Sequence, residues 1–500
     1  MQHTPTRLDR TRPGVEDAPE FYGGRAERAS TTGRGLSKKL LMRALLFLVV
    51  RAGTIALYAH HRTYYYYGQV AGQFAIAEAK FDGRDFSFDR TRERAAEDLA
   101  SRERRFVPLS EWRSLPKGEY ETFPALDLPG YGYLIAWTSR ILGGELTSRW
   151  AFVAQVLAEC AGVLLFAWSL ARLISPRVGL FAGLGYVLAY PMIWPQASQP
   201  MRDVFFVPIL ALVLFAFAVF IAASKRERFA IPVAVGIASV LLWVRPSAYF
   251  VFFFVVPLAL LTPGRSIRAR AAFTACLVAL PVALYTIPVR AFNVRHFGTS
   301  DLHFLGRGLW EGMGIIPDNP YGFALDDRVL VEWVRSRGVD TPYGSVEMNR
   351  ALSEYVFEVL RKDPAYYLKT LAARAVVFAK TPLDFVPPRA VPMRDKQTTS
   401  VFAYAWADPI GYFYNLLCIY AFAFLWIGAP ATVIWLLRER SRWWEILVVN
   451  VPLIYTFCAF FPLNHEPRYM AGAAWCVLAV FARAVDALVE KWQRVPAPGI

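Results

Sequence analysis

Val204-Phe-Phe-Val-Pro-Ile-Leu-Ala-Leu-Val-Leu-Phe-Ala-Phe-Ala-Val-Phe-Ile-Ala-Ala223 runs for twenty residues without a charge. An α-helix rises about 1.5 Å per residue, so this run is long enough to cross the roughly 30 Å hydrocarbon core of a bilayer. Working outward from it, similar runs recur over 40–58, 150–173, 178–194, 229–244, 248–261, 271–288, 412–437, 443–461 and 471–485. With roughly 20 apolar residues per crossing, the chain makes about ten spans. A composition of 55% hydrophobic and 15% aromatic residues over 500 positions excludes an ordinary soluble domain and predicts an all-α polytopic membrane protein.

The formal charge of +15 does not point to nucleic acid, because the basic residues fall in short clusters between apolar runs rather than on one patch. Threading the chain with its amino terminus inside puts 172–177, 225–228, 265–270, 438–442 and 491–494 on the cytoplasmic side, so every internal loop is basic. Both termini are then cytoplasmic. The domain plan is a disordered basic tail (1–37), an N-terminal transmembrane module (38–289) that includes a first external loop (60–146), an extracytoplasmic region (290–405), C-terminal transmembrane helices (406–490) and a short tail (491–500). Cys160, Cys276, Cys418, Cys458 and Cys476 all lie in apolar segments without metal-site spacing, so no disulfide and no cysteine-bound metal is expected.

Function should concentrate in the two external segments. Pro129-Gly-Tyr-Gly-Tyr-Leu-Ile-Ala-Trp137 reads as an interfacial helix opened by a proline, and Asp363-Pro364 as the start of an amphipathic helix running to about Lys380. Charges cluster at the outer boundary of the bundle: Arg202-Asp203 opening a span, Arg245-Pro246 in a turn, Arg290 with Arg295 beyond another span, and Phe461-Pro-Leu-Asn-His-Glu-Pro-Arg-Tyr469. Arg51 lies deep in the first span. Charges beside hydrocarbon are costly to desolvate and are retained where they grip a partner or an anion. Arg51, Arg202, Arg245, Arg290, His465, Arg468 and Tyr469 are therefore candidate phosphate-binding residues, with Tyr131 and Glu466 as candidate substrate contacts. Asp127, Asp203 and Glu121 are candidate general bases; the structural alternatives are a helix start for Asp127 and an ion pair with Arg202 for Asp203. The histidines show no zinc-binding spacing, and no cofactor is required, although Asp127 and Asp203 together could loosely hold a divalent ion.

With these residues in view, the chain from about Leu40 to Val489 resembles the GT-C superfamily of membrane glycosyltransferases, in particular the bacterial relatives of protein O-mannosyltransferases and of the lipid A aminoarabinose transferase. The resemblance rests on the first-span arginine, the Pro-Gly-Tyr helix, the external Arg-Asp, Trp243-Val-Arg-Pro246, Pro288-Val-Arg-Ala-Phe-Asn293 before Gly298, the Asp-Pro helix and His465-Glu-Pro-Arg-Tyr469. It implies a GT-C-like bundle with two large extracytoplasmic segments carrying interfacial helices. It also implies transfer of a sugar from a polyprenyl-phosphate donor to a glycan, lipid or protein acceptor at the outer face of a bacterial inner membrane, with inversion and without nucleic acid. Relatives carry an Asp-Glu pair early in the first external loop, where this chain has Gly68-Gln69. Gln69 cannot act as a base, which leaves Asp127 or Glu121 for that role, or a noncatalytic relative. A transporter or flippase of a lipid-linked sugar, and an oligosaccharide ligase or polymerase, remain the competing readings. The threading predicts that a cysteine placed at residue 340 reacts with a membrane-impermeant thiol reagent added outside intact cells, whereas one at residue 226 does not; the reverse pattern would overturn it.

Overall fold

The structure is a computed structural model that describes residues 33–61, 76–78, 80, 90–103, 105–107, 109–116, 129–142, 146–193, 195–222, 225–300, 305–325, 327–339, 345–380, 405–439, 443–455, 458–459, 461–463 and 471–493. Among the described residues there are helices and no strands. Over their described residues the apolar runs named above are mainly helical. They form α1 (Gly33–His61), α5 (Ser148–Leu173), α6 (Pro176–Ile193), α7 (Phe206–Ala222), α8 (Ala230–Leu241), α9 (Phe250–Leu261), α10 (Ile267–Pro281) continuing into α11 (Ile287–Phe297), α16 (Pro409–Arg438), α17 (Trp443–Val449), α18 (Val451–Tyr455) and α19 (Ala471–Gln493). By length and composition, three described helical stretches are apolar enough to cross a membrane: Ser148–Leu173, Arg202–Ala222 and Ile267–Phe297.

The charge-free stretch that opened the analysis becomes the axis of the bundle. A helix that is apolar on every face belongs inside protein rather than at its edge, and α7 is buried on all sides from Phe206 to Phe220 except at Phe215. It packs along α5 and α8. Lipid tails are as apolar as leucine, so close backbone approach rather than hydrophobicity holds such helices together. A Cβ on Gly162 of α5 would lie 3.2 Å from Cα of Pro208 in α7, and a Cβ on Gly179 of α6 would run into the Ala167 carbonyl and the Ala171 side chain of α5.

Three boundaries differ from the sequence-based expectation. The helix of the first span begins at Gly33, inside the stretch expected to be a disordered tail; residues 1–32 lie outside the described part. The expected module boundary at 289–290 falls within a continuous helical path, because α10 passes through a π-helical turn (Val282–Thr286) directly into α11. The run 443–461 is broken at Asn450, where Pro452 has no N–H to continue the ladder and the Asn450 side-chain amide donates to the Ile446 carbonyl at 2.8 Å.

The loops expected on the cytoplasmic side meet at one end of the bundle. Arg172 lies 3.9 Å from Glu227, Ser175 donates to Asp486 at 2.7 Å, Arg177 lies 3.8 Å from Asp486, and Arg483 lies 2.7 Å from Glu439. At the same end Arg265 donates to the Ile221 carbonyl and Arg270 to the Leu260 carbonyl, closing the turns after α7 and α9. The helix–turn connectivity puts the starts of α5, α7 and α9 at the opposite end, where the candidate site lies.

Two smaller units sit on that opposite end. In the first external segment, α2 (Arg90–Glu103), α3 (Leu109–Ser114) and α4 (Gly130–Leu142) share a core of Ala77, Ala96, Ala100, Trp112, Tyr131 and Ile135 that continues onto Phe205 and Val244. In the second, α12 (Leu305–Met313), α13 (Asp327–Ser336), α14 (Val346–Lys362) and α15 (Pro364–Lys380) enclose an aromatic core of Trp310, Phe323, Trp333, Tyr355 and Tyr366. Asp363 starts α15 as expected: its carboxylate accepts from the Tyr366 amide at 3.0 Å and from the Tyr321 hydroxyl at 2.8 Å, and these bonds, the Tyr321 one foremost, hold its carboxyl below the usual range.

The first span is tied to the bundle by one ion pair. Arg51 Nε meets Glu159 Oε2 of α5 at 3.0 Å, with both side chains at most 1% exposed. Its other nitrogens donate to Ser198 Oγ at 3.1 Å and to the Ala197 carbonyl at 3.0 Å, and Glu159 accepts from the Tyr186 hydroxyl at 3.2 Å. Breaking such a pair strands a buried charge. Arg51→Met or Glu159→Met alone should therefore cost about 3–5 kcal/mol, and the double variant Arg51→Met/Glu159→Met clearly less than the sum, as read from denaturation midpoints in detergent.

Candidate functional site

Three turns converge at the end of the bundle opposite the basic loops. The first precedes α7: the 3₁₀ turn Arg202–Phe205 carries Asp203, and Met201 before it donates its amide to Gln155 Oε1 at 2.9 Å. The second joins α8 to α9 and carries Trp243, Val244 and Arg245, with Pro246 opening a short 3₁₀ turn, Pro246–Tyr249. The third is the amino-terminal turn of α4, which follows Pro129. A Cβ on Gly130 would collide with the Trp243 carbonyl, so only glycine lets α4 rest on the Trp243–Val244 backbone.

Asp203 and Arg245 form an ion pair across these turns, Nη1 to Oδ1 at 2.5 Å, with side chains 7% and 13% exposed. Asp203 thus has a partner in Arg245, more than forty positions away in sequence, while the adjacent Arg202 is partly buried. Beneath the pair, Tyr131 is fully enclosed; its hydroxyl donates to Gln155 Oε1 at 3.0 Å and its ring meets Phe205 edge-on with centroids 6.1 Å apart. Burial pushes the Tyr131 phenol up, so it acts as a neutral donor. Gln155 gathers the assembly, since its amide nitrogen donates to the Gln199 carbonyl at 3.0 Å.

The Arg245 turn is braced from two further sides. The Trp243 indole N–H donates to the Leu284 carbonyl at 3.0 Å, inside the π turn, where a widened helical ladder makes a carbonyl available. The Tyr455 hydroxyl of α18 donates to the Ser247 carbonyl at 2.6 Å. Nearby, Lys80 stands over the Tyr133 ring at 5.2 Å, and the positive charge of Arg295 opposes the upward push of burial on the Tyr133 phenol.

The expected site residues thus separate. Asp203, Arg245, Tyr131 and Arg202 come together at one end of the bundle, while Arg290 is exposed on α11, two positions before Phe292, whose ring meets Trp243 edge-on. Arg51 is corrected from a phosphate-holding cation to an internal tie, because its guanidinium is spent on Glu159, Ser198 and the Ala197 carbonyl with 1% exposure. Tyr131 is likewise a buried brace rather than a surface available to substrate. Asp127, Glu121, Gln69, His465, Glu466, Arg468 and Tyr469 lie outside the described residues. Among the described residues, no group of three or more His, Cys, Asp or Glu side chains is placed to hold a metal ion.

Sequence reasoning passed over two acids. Glu78 is buried, accepts from Trp112 Nε1 at 2.7 Å and lies 3.5 Å from Arg92 Nη1, locking the first external unit together. Glu159 is the other. It is a lone carboxylate in an apolar run, which is the signal that could have found it.

No protein-family model matches the chain, and no curated protein sequence matches it. Among solved structures the chain is similar to an archaeal oligosaccharyltransferase, AglB from Archaeoglobus fulgidus in complex with an inhibitory peptide and a dolichol-phosphate, at 13% identity and a TM-score of 0.43 over 91% of this chain and 52% of that one. It is also similar to ArnT from Cupriavidus metallidurans in the apo state, at 14% identity and a TM-score of 0.35 over 93% and 82% of the two chains. The same protein bound to undecaprenyl phosphate gives 13% identity and a TM-score of 0.34 over 91% and 81%. The chain spans about half the length of the AglB chain it matches.

Because α4 rests on the second turn through Gly130, Gly130→Ala should lift that helix and cost about 1–3 kcal/mol by overpacking, seen as a lower unfolding midpoint with the helical circular-dichroism signal retained.

Proposed function

We propose that this chain is an integral-membrane glycosyltransferase that moves a sugar from a polyprenyl-phosphate-linked donor to an acceptor hydroxyl at the extracytoplasmic face, with inversion at the anomeric carbon. The observation that carries the reading is the Asp203–Arg245 pair: a carboxylate and a guanidinium, both largely shielded, held by three braced turns at the end of the bundle away from the basic loops. The sequence resemblance assigns the same Arg-Asp and Trp-Val-Arg-Pro segments to that class of enzyme. Lys80 and Arg295 beside Tyr133 add positive potential at that end, which suits an anionic headgroup.

The chemistry asks for little beyond this. A polyprenyl phosphate is a good leaving group, so the protein must neutralise the departing phosphate and remove one proton from the acceptor. The acceptor oxygen attacks the anomeric carbon opposite the phosphate, the carbon–oxygen bond to phosphate breaks, and its electron pair leaves on polyprenyl phosphate. The acceptor proton passes to a carboxylate. Arg245 is suited to the phosphate, and Asp203, engaged by that same guanidinium, to orienting it; Asp127 or Glu121 would then take the proton, and His465 and Arg468 would add to the phosphate site. The donor sugar is expected to be a hexose or pentose and the membrane a bacterial inner membrane.

A transporter of a lipid-linked sugar is the second reading, favoured by the break between α17 and α18, since discontinuous helices are a transporter trait. Purified protein in nanodiscs, given a sugar-charged polyprenyl phosphate and candidate acceptors, separates the two. Release of polyprenyl phosphate is expected, with Asp203→Asn and Arg245→Gln each lowering the rate by about 100-fold at an unchanged elution profile. Full rates in both variants would overturn the site, and carrier movement between leaflets without cleavage would overturn the reaction.

A further inference from the structure

The helix α15 is built inside out. Its exposed positions include Leu368, Val376 and Val377, while Tyr366, Thr370 and Arg374, one turn apart, form the buried stripe. The helix is amphipathic as expected, with Leu368, Val376 and Val377 on its outward face, as a helix against lipid requires. Arg374 is fully buried, and among the described residues it has carbonyl partners rather than a carboxylate.

Those carbonyls belong to two parts of the chain. Arg374 Nε donates to the Gly312 carbonyl at 3.1 Å, in the last turn of α12, where helix carbonyls lack intrahelical partners and favour a cation. Tyr366 caps the same end, its hydroxyl donating to the Met313 carbonyl at 2.7 Å. From the opposite side, Arg374 Nη1 donates to the Phe461 carbonyl at 2.8 Å and to the Pro462 carbonyl at 2.7 Å, and the Tyr367 hydroxyl adds a second bond to Pro462 at 2.8 Å. The contact is tight enough that a Cβ on Gly312 would strike both the Leu463 carbonyl and the Arg374 guanidinium. A buried guanidinium is costly unless its N–H groups meet acceptors, so the carbonyls that converge on Arg374 hold it and are held by it.

We infer that Arg374 is a positioning residue that fastens the chain at Phe461–Leu463 to the second external unit, and so sets where the chain enters residues 464–469, the stretch holding His465, Glu466, Arg468 and Tyr469. Six residues before Phe461 in sequence, Tyr455 braces the Arg245 turn through Ser247. The consequence for donor binding rests on the proposed transferase reading; the clamp does not.

Hydrogen–deuterium exchange on the nanodisc-embedded protein, with Arg374→Gln, Arg374→Lys and Tyr367→Phe, tests the clamp without any activity. Amides in 461–470 are expected to exchange about tenfold faster in Arg374→Gln, less so in Tyr367→Phe, which keeps the ring, while peptides from α13 and α14 stay protected. Exchange at 461–470 that is unchanged in both Arg374→Gln and Tyr367→Phe, or that rises equally throughout the second external unit, would overturn the inference. In the transfer assay, donor KM should rise about fivefold with kcat within about twofold, and Arg374→Lys should recover part of the loss. A fall in kcat with KM unchanged would overturn the positioning role, whereas absence of transfer by the wild type would sink the transferase reading and leave the exchange result to decide the clamp.

Discussion

A charge inside a hydrocarbon-like bundle has no water to fall back on, and this constraint organises the molecule. Arg51 and Glu159 meet it by pairing at 3.0 Å, and the remaining donors of the guanidinium reach Ser198 and the Ala197 carbonyl. One side chain of the first span therefore fixes the position of α5 and of the turn before α7. That turn leads within a few residues to Asp203. A pair of this kind adds little net stability over a well-packed apolar alternative, but removing either partner is costly, so its effect is to specify which helices meet and in which register.

The same logic recurs at the outer end of the bundle. Asp203 and Arg245 neutralise each other there, and the backbone around them is held by Gln155, Trp243, Tyr455 and the close approach of Gly130. Rigid backbone around a shielded pair is what electrostatic preorganisation requires: the charges are oriented before any substrate arrives.

The external units are joined to this end by different chemistry. The first continues the apolar core through Tyr131 onto Phe205 and Val244, with Glu78 accepting from Trp112 and facing Arg92 in its interior. The second is an aromatic core whose outer helix turns leucine and valine outward and arginine inward. Carbonyls at the end of α12 and at Phe461–Pro462 accept from Nε and Nη1 of Arg374, so the buried guanidinium of this helix is held by backbone dipoles.

Much of the fold was legible in the residues alone. Apolar runs of spanning length must form helices in a bilayer, because only a helix or a closed barrel satisfies its own backbone there, and the described parts of the runs read as spans are mainly helical, with 443–461 interrupted at Asn450. The basic loops predicted to share one side do meet at one end, as Arg172 with Glu227 and Arg177 with Asp486 demonstrate. Local signals held too: Pro129 before α4 and Asp363 capping α15 depend only on neighbouring residues. Pairing was not legible. That Arg51 would choose Glu159, that Asp203 would choose Arg245, and that Arg374 would point inward depend on which helix faces meet, and an evenly apolar helix such as α7 carries no periodic pattern to say so. Sequence determines where a chain must be helical and where charge must find a partner; only the packing of one helix against another decides which partner lies within about 3 Å.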